Sequence, residues 1–348
     1  MENKRYTIKE IAELAGVSRA TVDRVIHKRG KVSPDAYQKI EAVLETIDYQ
    51  PNFMARALKQ GKSLSIAVLM PNPEFDVYWK AADEGVERAL SDLDYIGLSV
   101  KKFLFNPRKE ASFIFNANQV LASGPDAVLV VPLFYKEAIS FFKECESKEL
   151  SYVTFNTHID EASPLSHVGQ DLKQSGRTAA SLLDRYSREK DEFLLVNIEE
   201  ESVNFKHVQE KEEGFRSYFE EKGFHQDKVK KLRIEELDAV ERELIDFLER
   251  NSLISGIYVT TSKAHYLAAI KQAYKLAHYL IGYDLIPGNI DYLEKGFIDY
   301  LIFQNPYEQA RKGIHAIADA LMFGKEIDTS SLLPIDILIK ENYKGYLV

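Results

Sequence analysis

Two sets of residues in this chain have chemistry suited to recognition rather than to bond making. Near the N-terminus, Arg24 carries a planar guanidinium that can donate two hydrogen bonds at once, the geometry that matches guanine O6 and N7 in a major groove. Lys28, Arg29 and Lys31 follow it and suit phosphates. Far along the chain, Asp284 comes directly after the apolar run Tyr279–Tyr283, and Gln304 directly after Tyr300–Phe303. The carboxyl ends of strands are where α/β sheets hold ligands, and both side chains suit hydroxyl groups. Catalytic motifs are missing: no Gly-x-Ser-x-Gly, His-Glu-x-x-His or complete phosphate loop occurs, and the His residues are scattered. Gly61-Lys62-Ser63 ends like a phosphate loop, but Arg56 stands where its first Gly belongs. A carboxylate pair such as Asp76 with Asp284 could imitate a glycosidase, yet no leaving-group logic supports it. The expectation is a non-enzyme with no cofactor and no metal.

The head must position Arg24. Thr7-Ile8-Lys9-Glu10 is a capping box, followed by an apolar stripe of Ile8, Ile11, Leu14 and Ala15. Gly16 suits a left-handed helix exit, and Ser18 caps a second helix reaching about Val25–His27. Helical spacing puts Val22, Val25 and Ile26 on one face and Arg19, Ala20, Asp23, Arg24 and His27 on the other. Ser33-Pro34 opens a third helix with the stripe Ala36, Tyr37, Ile40, Val43, Leu44 and Ile47, and Pro51 stops it. Helix, Gly-containing turn, helix is the helix-turn-helix plan, with its second helix in a major groove. Spacing alone also admits a surface helix with a solvated basic face.

The body must position Asp284 and Gln304. Short apolar runs at Ile66–Met70, Ala127–Val131, Tyr152–Phe155, Phe193–Val196, Ile257–Val259, Tyr279–Tyr283 and Tyr300–Phe303 alternate with amphipathic segments such as Ala81–Leu93, Tyr135–Glu146 and Asp238–Glu249. This is βαβ alternation, which predicts parallel sheets with helices on both faces. The stretch is too long for one such sheet, so two α/β lobes are expected.

Composition agrees. At 348 residues, 45% hydrophobic and 28% charged, the chain fits a soluble globular protein of two or three domains. The net charge of −9 divides unevenly: residues 1–62 carry 12 Lys and Arg against 8 Asp and Glu, and the remainder 33 against 46. A basic head on an acidic body suggests that the head alone meets a polyanion. No apolar run reaches the length of a membrane span, and Met1–Arg5 leads into a polar segment with no signal core, so the cytoplasm is expected. The lone Cys145 excludes a disulfide framework and a Cys-rich zinc site.

The run from Thr7 to Ile26, continued in register by Val32-Ser33-Pro34 and Ile47-Asp48-Tyr49-Gln50-Pro51-Asn52, resembles the headpiece of the lactose-repressor (LacI/GalR) family. The resemblance implies operator contacts from Thr7, Ser18, Arg19, Ala20, Thr21 and Arg24, then from His27, Lys28 and Arg29. Asp23 and His27 depart from that family's usual Ser and Asn; Asp23 can orient Arg24 or accept from a cytosine amino group. Residues 52–59 resemble the family's hinge helix, which implies DNA contacts from Asn52 and Ala55 and a minor-groove wedge at Leu58. An interdomain linker with a buried Leu is the alternative for Leu58.

The body resembles a type I periplasmic binding protein, closest in pattern to the ribose-binding type. That resemblance implies two α/β lobes closing on a ligand in the cleft. It implies that Asp76 takes hydroxyls while Tyr78 and Trp79 stack on a sugar face; as core residues, Tyr78 and Trp79 would have a costly Asp76 beside them. Asn156 matches a place that is acidic in ribose-type proteins, which weakens ribose itself as the ligand. Lys211, three places before Gly214, matches a ligand-binding Arg and can hold a hydroxyl, carboxylate or phosphate; a solvated helix face is the alternative. Thr261 matches a ligand-side position, Asp284 lies in Gly282-Tyr283-Asp284, and Gln304 matches a ligand-contacting Gln.

The expected protein is an all-α helix-turn-helix headpiece (1–61, hinge helix 52–59) joined to a two-lobed α/β effector-binding and dimerisation domain (62–348). Lobe crossings are expected near Asp160–Pro164, Asn289–Gly296 and Gly324–Thr329. The expected function is a DNA-binding transcriptional regulator, a repressor acting as a homodimer on a pseudo-palindromic double-stranded operator, controlled by a sugar or sugar derivative, with no membrane partner. No leucine heptads follow the body, which argues against a tetramerising tail. The alternatives are control by a phosphorylated corepressor or protein partner, or a sugar-binding carrier, which would need a signal peptide.

Overall fold

A computed structural model describes residues 8–26, 32–46, 63–186, 188, 190–198 and 206–347. The chain divides into two compact units, Met1–Gly61 and Lys62–Val348.

In the head, α1 (Ile8–Ala15) ends at Gly16 with φ +64°. Val17 N–H donates to Ala12 O at 3.0 Å and Gly16 N–H to Glu13 O at 3.4 Å, the paired bonds of a Schellman exit. Ser18 Oγ accepts from Thr21 N–H at 3.1 Å and starts α2 (Arg19–Ile26). Ser33 Oγ accepts from Ala36 N–H at 3.4 Å at the start of α3 (Pro34–Thr46). Ile11, Ala12, Ala15, Val22, Val25 and Ile40 form the buried core. Leu14 and Tyr37, expected in the apolar stripes, are instead exposed. At about 100° per residue, the buried arc of α1 runs from Ile11 through Ala15 to Ala12 and leaves Leu14 beyond its edge.

The body holds two six-stranded sheets. The first contains β1 (Leu64–Pro71), β2 (Leu98–Phe105), β3 (Ala127–Val130), β4 (Ser151–Phe155), β5 (Ser166–Gly169) and β11 (Ser330–Leu332), in the order β11-β5-β4-β3-β1-β2, all parallel. Helices α4 (Trp79–Asp92), α5 (Glu110–Ser123), α6 (Tyr135–Ser147) and α12 (Pro306–Leu321) belong to this lobe. The second sheet contains β6 (Glu192–Ile198), β7 (Val229–Ile234), β8 (Ile254–Val259), β9 (Tyr279–Tyr283), β10 (Tyr300–Phe303) and β12 (Asp336–Leu338), in the order β12-β10-β9-β8-β6-β7, with only β12 antiparallel. Its helices are α7 (Leu172–Asp184), α8 (Lys206–Glu221), α9 (Val240–Arg250), α10 (Ala264–Ala273) and α11 (Pro287–Glu294).

The chain crosses between lobes later than the sequence suggests. Because β5 and β11 each add a short polar strand to the first sheet, those crossings fall after Gly169 and between Leu332 and Asp336. Residues 287–294 form α11 within the second lobe, so the middle crossing falls between β10 and α12. Gln170, buried at the first crossing, donates from Nε2 to Phe303 O at 3.2 Å and to Pro334 O at 2.7 Å. One side chain thus ties the three crossings together. Between the lobes, Lys206 Nζ of α8 donates to Asp160 Oδ2 in the loop after β4 at 2.5 Å.

Candidate functional site

The second lobe places its polar groups through backbone geometry. Asp284 leaves β9 with φ +68°, a left-handed conformation that Asp tolerates better than most residues. Its N–H donates to Ile302 O at 3.0 Å. Its Oδ1 accepts from Gln304 N–H at 3.0 Å and its Oδ2 from Gln304 Nε2 at 2.7 Å, so β9 and β10 deliver the two residues as one unit. Asn289, fully buried, holds this corner from behind. Its Nδ2 donates to Ser262 O at 2.8 Å, Tyr283 O at 2.8 Å and Asp284 O at 3.1 Å, and its Oδ1 accepts from His265 N–H at 2.9 Å.

Lys211 lies on α8 with only 2% exposure, which removes the solvated-face reading. The helix that carries it packs closely on its neighbour. A Cβ at Gly176 of α7 would collide with the Lys211 carbonyl, and one at Gly214 of α8 with the Lys173 carbonyl, so two glycines let these helices cross in contact. Lys211 Nζ donates to Thr260 O at 3.0 Å and sits 3.7 Å from the Tyr283 ring centroid. Burial pushes its ammonium down to about 8, against the pull of Asp284 and Glu210. Burial likewise pushes the Asp284 carboxyl up to about 6, opposed by the Gln304 hydrogen bonds and the Lys211 charge and assisted by Asp76.

The first lobe contributes aromatic surface. Asp76 Oδ1 accepts from Tyr78 N–H at 3.0 Å and fixes the turn into α4. Asn156, which leaves β4 with φ +69°, donates from Nδ2 to the Tyr78 hydroxyl at 2.7 Å. Burial, then the charges of Asp284 and Asp76, hold the Tyr78 phenol well above its ordinary range. Trp79 is buried edge-on against Tyr78 and Phe155, with centroids 4.9 Å and 6.3 Å away. It therefore packs in the core and also forms part of the cleft wall.

A cavity of about 430 Å³ collects Asp76, Tyr78, Trp79, Asn156, Lys211, Thr261, Asp284 and Gln304 in one lining. Among the described residues, Thr261 Oγ1 there has no hydrogen-bond partner although it is buried. The same lining includes Phe75, Arg108, His207, Lys263, His265 and Tyr266, none of which the sequence pattern singles out. Arg108 follows β2, whose polar alternation hides it as a strand. Lys263 and His265 sit just past Thr261, within reach of a rule that takes the residues after every strand, whereas His207 lies in the first turn of α8, nine residues past β6. Among the described residues, no three His, Cys, Asp or Glu side chains gather to hold a metal ion, and no helix is long and apolar enough to cross a membrane.

In the head, α2 buries Val22 and Val25 and exposes Ser18, Arg19, Ala20, Asp23 and Arg24, with Thr21 half-buried. Ser18 and Thr21 hydroxyls are 2.8 Å apart. Thr7, His27, Lys28, Arg29, Lys31, Asn52, Ala55 and Leu58, with the expected hinge helix 52–59, lie outside the described residues.

Residues 66–326 match the family of periplasmic binding protein domains, and residues 7–52 match the bacterial regulatory proteins of the lacI family. A ribose operon repressor from Halalkalibacterium halodurans is 25% identical over 355 residues, covering 97% of each chain. A sucrose operon repressor from Klebsiella pneumoniae is 30% identical over 209 residues, covering 56% of each. The chain spans from a quarter to about half of the first curated relatives it matches. Among solved structures, a candidate LacI transcriptional regulator from Bacteroides fragilis superposes with TM-score 0.75 at 27% identity, over 82% of this chain and all of that one. A glucose-galactose binding protein from Geobacillus stearothermophilus shares the fold with TM-score 0.68 at 20% identity, over 81% of this chain and 99% of its own.

Proposed function

We propose a function from what this chain is: it belongs to the family of periplasmic binding protein domains through its body, and its head is that of the lacI family of bacterial regulatory proteins. It is a DNA-binding transcriptional regulator, a repressor of the cytoplasm, whose operator affinity is set by a small carbohydrate-like effector held between the lobes. It has no enzymatic activity. The head reads DNA through α2, with Arg24 on a base edge, Ser18, Arg19, Ala20 and Thr21 beside it, and Lys28 and Arg29 on phosphates. Two copies form the homodimer that a pseudo-palindromic operator requires. Asp284, Gln304, Asn156, Thr261 and Lys211 take the effector's polar groups, Asp76 its hydroxyls, and Tyr78 and Trp79 the apolar face of its ring.

The observation that carries this reading is the union, on one chain, of a helix-turn-helix head exposing Arg24 with a cleft that gathers polar and aromatic groups from both sheets. Selection of bound sites from random duplex DNA tests the head and should return a two-fold symmetric motif. Anisotropy on that motif, titrated with neutral sugars, sugar acids and sugar phosphates, tests the body. No selected motif would remove the regulator. A motif whose affinity no compound alters would remove the cleft as its control and favour a protein partner.

A further inference from the structure

Among the described residues, the cavity lining brings Arg108, Lys211 and Lys263 together with Asp76 and Asp284. Lys211 is the deepest of these cations. Its ammonium has three protons and, among the described residues, one hydrogen-bond acceptor, the Thr260 carbonyl oxygen at 3.0 Å. The Tyr283 ring covers another side at 3.7 Å. Asp284 feels the Lys211 charge, but both of its oxygens are engaged by Gln304 and neither lies within ion-pair distance of Nζ. A buried charge without a close counter-ion is costly to keep. Thr261 Oγ1, buried in the same lining with no partner among the described residues, is a second polar atom that a group in the cavity could satisfy.

Sugar hydroxyls would satisfy hydrogen bonds at such a site but not its charge. A carboxylate or phosphate supplies both, and charge-assisted bonds are the stronger ones. We infer that the effector is an anionic carbohydrate, a sugar acid or sugar phosphate, whose charged group pairs with Lys211 while Asp284 and Gln304 take its hydroxyls. This rests on the cleft being the effector site. Burial, which pushes the Lys211 ammonium down to about 8, is the cost that such a charged group would offset.

The test uses the full chain and matched compounds of one skeleton: aldoses, their aldonates and their 6-phosphates, followed by calorimetry, thermal shift and the emission of Trp79. At least one aldonate or phosphate should bind tenfold or more tightly than its parent aldose, and the two anionic arms distinguish carboxylate from phosphate. Lys211→Met should erase that preference, and Lys211→Arg should retain part of it. The melting temperature of unliganded Lys211→Met should equal or exceed that of the parent, which shows that the variant folds. Equal binding of aldose and anion, or a preference that survives Lys211→Met, would overturn the anionic effector. Binding of neutral aldoses alone, with a Trp79 response, would overturn it while leaving the cleft reading intact. No binding by any compound, with Trp79 silent throughout, would count against both.

Discussion

The head and the body present their proposed recognition groups in opposite ways. Arg24 and its neighbours stand exposed on one face of a short helix, while Val22 and Val25 on the other face carry the packing. In the body, Asp284 and Lys211 are each 2% exposed, and their hydrogen bonds also hold strands and helices together. A surface reader separates function from stability, whereas a buried cleft merges them. Substitutions in the head should change binding alone. Substitutions in the cleft should change binding and folding together, and that contrast can be broken experimentally.

The largest effect is expected at Asp284. Asp284→Ala leaves the Gln304 amide and N–H without their acceptor and removes one of the two negative charges, with Glu210, that act on Lys211. Effector affinity should fall at least a hundredfold, about 3 kcal/mol, and the effector response of operator binding should vanish. Stability should move as well. Asp284→Asn, which tolerates the left-handed backbone at φ +68°, should keep the fold and lose part of the affinity. Calorimetry on both variants, with anisotropy on the selected operator, measures this. Undiminished effector response in Asp284→Ala would place the site elsewhere.

Next in size is the stability of the unliganded body. Lys211 has its folded value lowered to about 8 from 10.5, so the unfolded chain holds more protons between those values, and stability should rise with pH across that window. Below about pH 8 the cost is fully present, and by the size of the shift it is at most about 3 kcal/mol. Lys211→Met should therefore be more stable than the parent at pH 7, with the gap closing toward pH 10.5. Denaturant melts at three pH values decide this. For Asp284 the sign is opposite: its folded value is raised to about 6 from 3.8, so its contribution should fall as pH rises through that range. A Lys211→Met gap that ignores pH would separate the ammonium from the effect.

Arg24→Ala sharpens the contrast from the other side. It should cost about 1–3 kcal/mol of operator binding and relax preference at one base pair of each half-site. Folding stability should stay within about 0.5 kcal/mol because the side chain is exposed. A selection profile unchanged in sequence preference would mean that α2 docks differently.

Legibility in the amino-acid sequence follows the same division. The head reads well because caps, Gly16 and helical spacing are local signals. Leu14 and Tyr37 fall outside the core because a stripe does not say where the neighbouring helix stops covering it. In the body, β1, β3, β4, β6, β8, β9 and β10 are continuous apolar runs, buried on both faces, and the residues after them lead to the cleft. The edge strands β2 and β7 alternate with polar residues, and β5 and β11 are short and polar, so the pattern of apolar runs marks neither the lobe crossings nor Arg108. The burial of Lys211 is illegible in one dimension because the groups that cover its ammonium, the Thr260 carbonyl and the Tyr283 ring, come from the ends of strands distant in sequence.

The smallest effect is expected at Trp79, where the two roles are most closely mixed. It is the single tryptophan of the chain, it packs edge-on against Tyr78 and Phe155, and it contributes to the cavity wall. An effector that reaches this wall should shift its emission. Trp79→Phe keeps an aromatic face but removes volume from a packed wall, so its main cost should fall on stability, about 1–2 kcal/mol. Affinity should fall by about 1 kcal/mol or less, in line with the added worth of an aromatic contact beyond its buried area. Melting curves and calorimetry on the same preparation separate the two losses. An affinity loss of a hundredfold with unchanged melting temperature would make Trp79 a recognition residue in the manner of Arg24, and the distinction between an exposed reader and a merged cleft would no longer hold for the aromatic wall.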